Sequence, residues 1–240
     1  MLLIAACIGV FFFVQQGLGS GPQAQSDQNE FAFGNAAIPC EVIRGRPLAT
    51  EEVIETLEAG DDTACTSDPS TPAVFPGKNV WLAVVYSMFL HGGLLHLGSN
   101  MLFLWIFGNN IEDTQGKFRY LIFYLLAGLA ATAAHIAIQP ASTVPVVGAS
   151  GAIAGVMGAY LVLFPNVPIR TVVIFFFITF IEVRAKWLLG FWFVSQFFIS
   201  PGDGVAWMAH VGGFVFGVAA GMFWKARAEP DSEYELKPFH

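Results

Sequence analysis

Ser150 and His210 are the two side chains in this sequence best suited to chemistry, because each stands at the head of a long apolar run. A serine hydroxyl is a weak nucleophile until a neighbouring base takes its proton. A histidine can take that proton and later hand it to a leaving amine. Ser150 lies in Gly148-Ala149-Ser150-Gly151 and is placed at a helix N-terminus, where free N–H groups and the helix dipole favour developing negative charge. His96 and Asn100 are spaced i, i+4 and share one helix face, so both can add hydrogen-bond donors for an oxyanion. Singly these signals are weak. A Gly-x-Ser-Gly is usually a packing motif, a histidine before a glycine stripe is often an interhelical contact, and an intramembrane Asn is often helix glue. His91 either shapes a water-filled cavity or caps a span. His135, at the end of an apolar run, reads as structural.

The elements that must position these groups are read from composition. Of 240 residues 55% are hydrophobic and 12% charged, against about a quarter charged in soluble domains. Mean hydropathy is +0.61. Several apolar runs approach the roughly 20 residues that cross a bilayer, and the alternation of a β-barrel is absent. The expected fold is therefore an all-α membrane protein of six transmembrane helices. The first is residues 1–16. The others are approximately Leu94–Ile111, Phe118–Ile138, Ala149–Phe164, Glu182–Ile199 and Val205–Trp224. A signal peptide is the alternative for the first, although it lacks a basic start and a clear cleavage site. Thr171–Ile181 reads as an interfacial segment before a short fifth span, and Val80–Leu90 as interfacial too. The organisation is thus a first span (1–16), a large extracytoplasmic loop (17–90), a core of five further spans (91–224) and a polar tail (225–240).

Charge orients the bundle. Between Gly17 and Lys78 stand ten acids and three bases; from Asn79 to Ala228, four acids and seven bases. The bases Lys117, Arg119, Arg170, Arg184, Lys186, Lys225 and Arg227 flank one set of span ends, which the positive-inside rule places in the cytoplasm. Spans two, four and six then start in one outer leaflet. That brings His91, His96, Asn100, Ser150 and His210 to one depth, where unpaired polar groups are costly. Gly151 and Gly155 on the fourth span, and Gly213 and Gly217 on the sixth, are small-residue stripes that permit close helix packing.

The loop carries one helical candidate, Thr50–Ala59, opening with a Thr cap and two Glu. Cys40 and Cys65 share it. They form a disulfide if it faces an oxidising compartment, two free thiols being the alternative; Cys7 reads as a buried thiol. The fifth span is short, about 20 Å from Trp187 to Ile199, and bulky with Phe191, Trp192, Phe193, Phe197 and Phe198. It reads as a mobile wall, its outer end joining a turn-rich loop, Ser200 to Gly204. Which of Trp192 and Phe193 faces the second span is left open.

Taken together, His91-Gly-Gly-Leu-Leu-His96-Leu-Gly-Ser-Asn100, Gly148-Ala-Ser150-Gly151 and Ala209-His210-Val-Gly-Gly213-Phe-Val-Phe-Gly217 resemble the rhomboid family of intramembrane serine proteases over about Phe89 to Trp224. The resemblance implies a Ser150–His210 dyad without an acid and an oxyanion hole from His96, Asn100 and the Ser150 amide. It also implies gating by the fifth span and the outer loop, and substrates that are themselves membrane-spanning helices. The chain departs from the family at Trp81-Leu82, where a Trp-Arg pair is common, and at Glu112-Asp113-Thr114, where Glu-x-Arg is common. Ala154 stands where some members place a Tyr that stacks on the catalytic histidine, so the orientation of His210 must come from another group.

No cofactor, metal or nucleic acid is expected. A zinc protease would need His-Glu-x-x-His on a helix, and an aspartyl protease two intramembrane aspartates. A transporter would favour a charge relay or a polar stripe along a whole pore. The expected partners are transmembrane protein substrates and lipid, in the plasma (inner) membrane of a prokaryote. The alternative function is a catalytically inactive, rhomboid-like membrane-protein-binding protein, which would be expected to lose Ser150 or His210.

Overall fold

The computed structural model describes residues 1–15, 21–66, 68, 70–174, 178–200 and 205–227. The expected outer loop over 201–204 and most of the polar tail, 228–240, lie outside the described residues. The chain is mainly helical. Helix α1 (Leu2–Gly9) continues through a wider turn over Val10–Val14. After it come α2 (Pro22–Asn35), α3 (Pro39–Arg44), α4 (Thr50–Ile54, running on to Ala59) and α5 (Val80–Ser87). The remaining helices are α6 (Leu94–Gln115), α7 (Lys117–Ile138), α8 (Ser150–Leu163), α9 (Ala185–Ser195, with a 3-10 turn over Gln196–Phe198) and α10 (Trp207–Arg227). Two of them, α7 and α10, are long and apolar enough to cross a bilayer by length and composition; Leu2–Val14 and α8 are shorter apolar helices.

Helix α8 is the axis of the bundle. Gly151 to Tyr160 are all buried, with α10, α7 and α6 packed around them. Its glycines make that possible. A β-carbon on Gly213 would strike the carbonyl of Gly151, and one on Gly217 the carbonyl of Gly155. On the other flank, β-carbons on Gly151 and Gly155 would lie 2.7 and 2.5 Å from those of Ala131 and Ala127 in α7. Backbone meets backbone along these stripes, which van der Waals packing rewards where no hydrophobic force drives helices together.

Four expectations need correction. The segment read as a loop with a single helical candidate holds α2 and α3 as well. Both begin with proline at the first turn, where the missing N–H costs nothing; the same prolines read as loop signals in sequence. Thr50 is not a cap, because Ala49 occupies that position. The Glu52 carboxylate reaches back to accept from the Ala49 N–H at 2.9 Å and pairs with Arg44 at 2.7 Å. The stretch between the fourth and fifth spans is not helical: Thr171–Ile174 and Ile178–Ile181 lie in an antiparallel pair of strands, β1 (Pro168–Ile174) and β2 (Ile178–Arg184), with Arg170 opposite Glu182. Its Val, Ile and Thr content favours the pleated form, so the fold is not purely α. Consequently α9 starts at Ala185, after Glu182 and Arg184, and of the charges that the fifth span was expected to include only Lys186 lies within it.

The segment before α6 has its own small core of Phe33, Ile38, Cys40 and Leu48. Cys40 and Cys65 are joined there, Sγ to Sγ, at 2.05 Å. Lys78 is buried against Glu41 and donates to the Phe33 carbonyl at 2.7 Å, while Glu41 accepts from the Leu48 N–H at 3.0 Å. Burial pushes the Glu41 carboxyl up and the Lys78 ammonium down, and the attraction between them opposes both shifts.

Candidate active site

Three helix starts meet at one end of the bundle. Ser150 is the first residue of α8, His96 and Asn100 lie in the first two turns of α6, and His210 lies in the first turn of α10. All four line one cavity of about 350 Å³, closed on its sides by Phe103, Trp192 and Ala206 among others. The His210 Nε2 stands 2.9 Å from the Ser150 Oγ. The α8–α10 glycine contacts hold them there, since Gly151 follows Ser150 by one position and Gly213 follows His210 by three, and these two are the first touching pair.

The donors are arranged by simple bonding rules. Gly92 N–H donates to His96 Nδ1 at 3.2 Å, so the proton of a neutral His96 ring sits on Nε2. That edge points at Gly148, where a β-carbon would come within 2.9 Å of His96 Cε1 and Nε2. Gly148 also has φ of +125°, a conformation that other residues rarely adopt. Any side chain there would strain the turn and push His96 away. Asn100 Nδ2 donates to the His96 carbonyl at 2.7 Å and keeps a second hydrogen; its Oδ1 is buried with no partner among the described residues. As the first residue of α8, Ser150 has a backbone N–H with no partner inside the helix.

His91 and His135 do not line the cavity. His91 is buried behind His96, ring edge to face at 5.4 Å, and His135 is buried in α7.

Several groups that hold the site carry little sequence signal. Gln15, at the end of the first apolar helix, grips the backbone of His91 with both ends of its amide. Nε2 donates to the His91 carbonyl at 3.0 Å and Oε1 accepts from its N–H at 2.9 Å. The connection that precedes Ser150 is fastened by the segment before α6. Ser87 carbonyl accepts from Gly148 N–H at 2.9 Å, Ala37 carbonyl from Val146 N–H at 2.8 Å, and Ser142 carbonyl from Cys40 N–H at 2.9 Å. Ser87 Oγ accepts from Ala37 N–H at 2.7 Å. Gln196, at the end of α9, places its Oε1 2.7 Å from His210 Nδ1. A polar pair beside or within an apolar run, Gln15-Gln16 and Ser195-Gln196, was the only available hint for Gln15 and Gln196.

Trp192 and Phe193 both turn toward α10. Trp192 lies 5.8 Å from the His210 ring and 5.9 Å from Phe214, and Phe193 stacks on Phe214 at 4.6 Å.

The fold and this cavity define a class, a helical bundle in which helix starts deliver a few polar side chains into a largely apolar chamber. Residues 78–227 match the Rhomboid domain family, and the chain belongs to the rhomboid family. It is 40% identical over 81 residues to Rhomboid protease GluP of Bacillus subtilis, covering 34% of this chain and 15% of that one. It is 27% identical over 165 residues to Rhomboid protein 1, mitochondrial, of Saccharomyces cerevisiae, covering 65% and 45%. It is 39% identical over 75 residues to Rhomboid-like protein 11, chloroplastic, of Arabidopsis thaliana, covering 31% and 26%. The matched stretches thus span less than half of these relatives' lengths. Their names place the family in organelles as well as in bacteria.

Proposed function

We propose that the chain is a serine endopeptidase that cleaves transmembrane helices of other membrane proteins inside the bilayer. In this reading six helices cross the membrane: Leu2–Val14, α6, α7, α8, α9 and α10. Ser150 then lies below the outer surface of a prokaryotic plasma membrane. The observation that carries the proposal is the 2.9 Å approach of His210 Nε2 to Ser150 Oγ on the wall of a cavity. A Ser–His contact made only for packing has no need of a chamber.

The chemistry follows from these groups. His210 takes the hydroxyl proton as Ser150 Oγ attacks the scissile carbonyl carbon. The carbonyl oxygen becomes an oxyanion held by Ser150 N–H, His96 Nε2–H and the free hydrogen of Asn100 Nδ2. Collapse breaks the C–N bond, and His210 passes its proton to the departing amine. Water then attacks the acyl ester, with His210 again taking and returning a proton. The relative Rhomboid protease GluP carries "protease" in its name, which supports the same reaction class.

Purified protein reconstituted with a membrane protein carrying one helix should release two fragments cut within that helix. Intact substrate under conditions that keep the enzyme folded would overturn the proposal. Asn100→Ala should lower kcat about 10²–10³-fold, as loss of one oxyanion donor does, while the thermal midpoint stays near wild type. Unchanged kcat would reduce Asn100 to a packing residue.

The wall through which substrate enters is α9. Its aromatic anchors lie on α10, and it packs against α8 and α10. Phe193→Ala should therefore loosen α9, lower the thermal midpoint and speed cleavage of transmembrane substrates, because it weakens the closed position more than the open one. Slower cleavage with the same loss of stability would contradict this role for α9.

A further inference from the structure

The chain lacks an aromatic ring one turn after Ser150, and Ala154 there is fully buried. The His210 ring is held instead from α9. The Gln196 side chain is buried, 4% exposed, and both ends of its amide are engaged. Nε2 donates to the Trp192 carbonyl at 3.0 Å and to Ser195 Oγ at 3.3 Å. Oε1 lies 2.7 Å from His210 Nδ1.

The order of donors along this chain of bonds has one solution. The Trp192 carbonyl can only accept, so the amide nitrogen of Gln196 must face it; the flipped amide would set two acceptors against each other. Oε1 therefore faces His210. An amide oxygen can only accept, so Nδ1 must carry the ring proton. In the neutral ring Nε2 is then a bare lone pair, aimed at Ser150 Oγ. That is the tautomer a general base needs. With the opposite tautomer, Nε2–H would point at the serine and could not take its proton.

We propose that Gln196 is the positioning residue of this site, fixing the tautomer and ring orientation of His210 in the place an acid holds in Ser-His-Asp triads. A neutral amide suits a buried position because it orients the ring without bringing in a charge that burial would penalise. The Trp192 ring, 5.8 Å from His210 and inclined by 40°, flanks the imidazole from the same helix. The proposal rests on the reading of Ser150 and His210 as the reacting pair.

The test is the 15N spectrum of His210 in wild-type protein, assigned by its loss in His210→Ala, together with kinetics of Gln196→Leu and Gln196→Glu. The expected spectrum has Nδ1 protonated and Nε2 bare. Gln196→Leu should mix the tautomers and lower kcat about 10- to 100-fold, part of the contribution of a general base, with KM little changed. Gln196→Glu, which accepts from Nδ1–H in either protonation state, should restore the single tautomer and most of kcat. A wild-type ring protonated at Nε2 overturns the proposal whatever the variants do, as does a Gln196→Leu protein with wild-type tautomer and kcat. The spectrum does not depend on turnover. Cleavage that survives in Ser150→Ala would therefore defeat the reading of the reacting pair and leave the tautomer result standing.

Discussion

Ser150→Ala and His210→Ala will each abolish cleavage while leaving the fold intact. Both side chains border a cavity, and the glycine contacts that join α8 to α10 are untouched; His210→Ala also loses its contacts with Gln196 and Trp192, so it should melt somewhat below Ser150→Ala while remaining folded. The loss should be close to total for either variant and no larger for the double variant, because groups that act as a unit are strongly non-additive. Fragment yield from a reconstituted substrate, beside a melting curve, measures both halves of the expectation. A folded single variant that retains near-normal turnover would sink the dyad.

The second large effect is on folding. Gly217→Val places three carbons where the α10 backbone already meets the Gly155 carbonyl. No rotamer relieves a clash between a β-carbon and backbone, so α10 must be wedged off α8. Overpacking of a tight core costs about 1–3 kcal/mol and sometimes more, and here the displaced contact also carries the helix that holds His210. The variant should melt well below wild type or fail to accumulate. Gly190→Ala in α9, where a β-carbon would meet nothing within 4 Å, is the control and should melt at or slightly above wild type, since alanine is the better helix former. A Gly217→Val protein with wild-type stability would show that the stripe is not what joins the two helices.

The residues that meet at the cavity were legible because apolar surroundings make polar residues conspicuous. His96, Asn100, Ser150 and His210 interrupt runs of Leu, Phe, Ala and Gly, and the i, i+4 spacing of the first two assigns them one face. The residues that orient them were not legible. Gln196 touches a partner 14 positions away and Gln15 one 76 positions away; neither has a spacing that a periodicity could reveal. The strand pair Pro168–Ile174 and Ile178–Arg184 was hidden for a different reason. A short apolar run rich in Val and Ile fits a strand, a buried helix or an interfacial segment equally well until a pairing partner is known. Helices α2 and α3 were obscured by Pro22 and Pro39, which mark either a loop or a first helical turn. In α2, polar pairs such as Gln23 with Asp27 and Gln25 with Asn29 support the helix in place of an apolar stripe.

The site's geometry also accounts for the departure at Ala154. A ring one turn along α8 is one way to hold a histidine, and a hydrogen bond from a neighbouring helix is another. The second ties His210 to α9, the helix that also borders the cavity through Trp192.

The most direct measurement is covalent. A fluorophosphonate reacts with a serine only when a base activates its hydroxyl, and mass spectrometry of the labelled protein locates the adduct. On wild-type protein in detergent or vesicles one adduct is expected, on the peptide carrying Ser150, and none in folded His210→Ala. An adduct on another serine, or undiminished labelling of Ser150 without His210, would contradict the dyad.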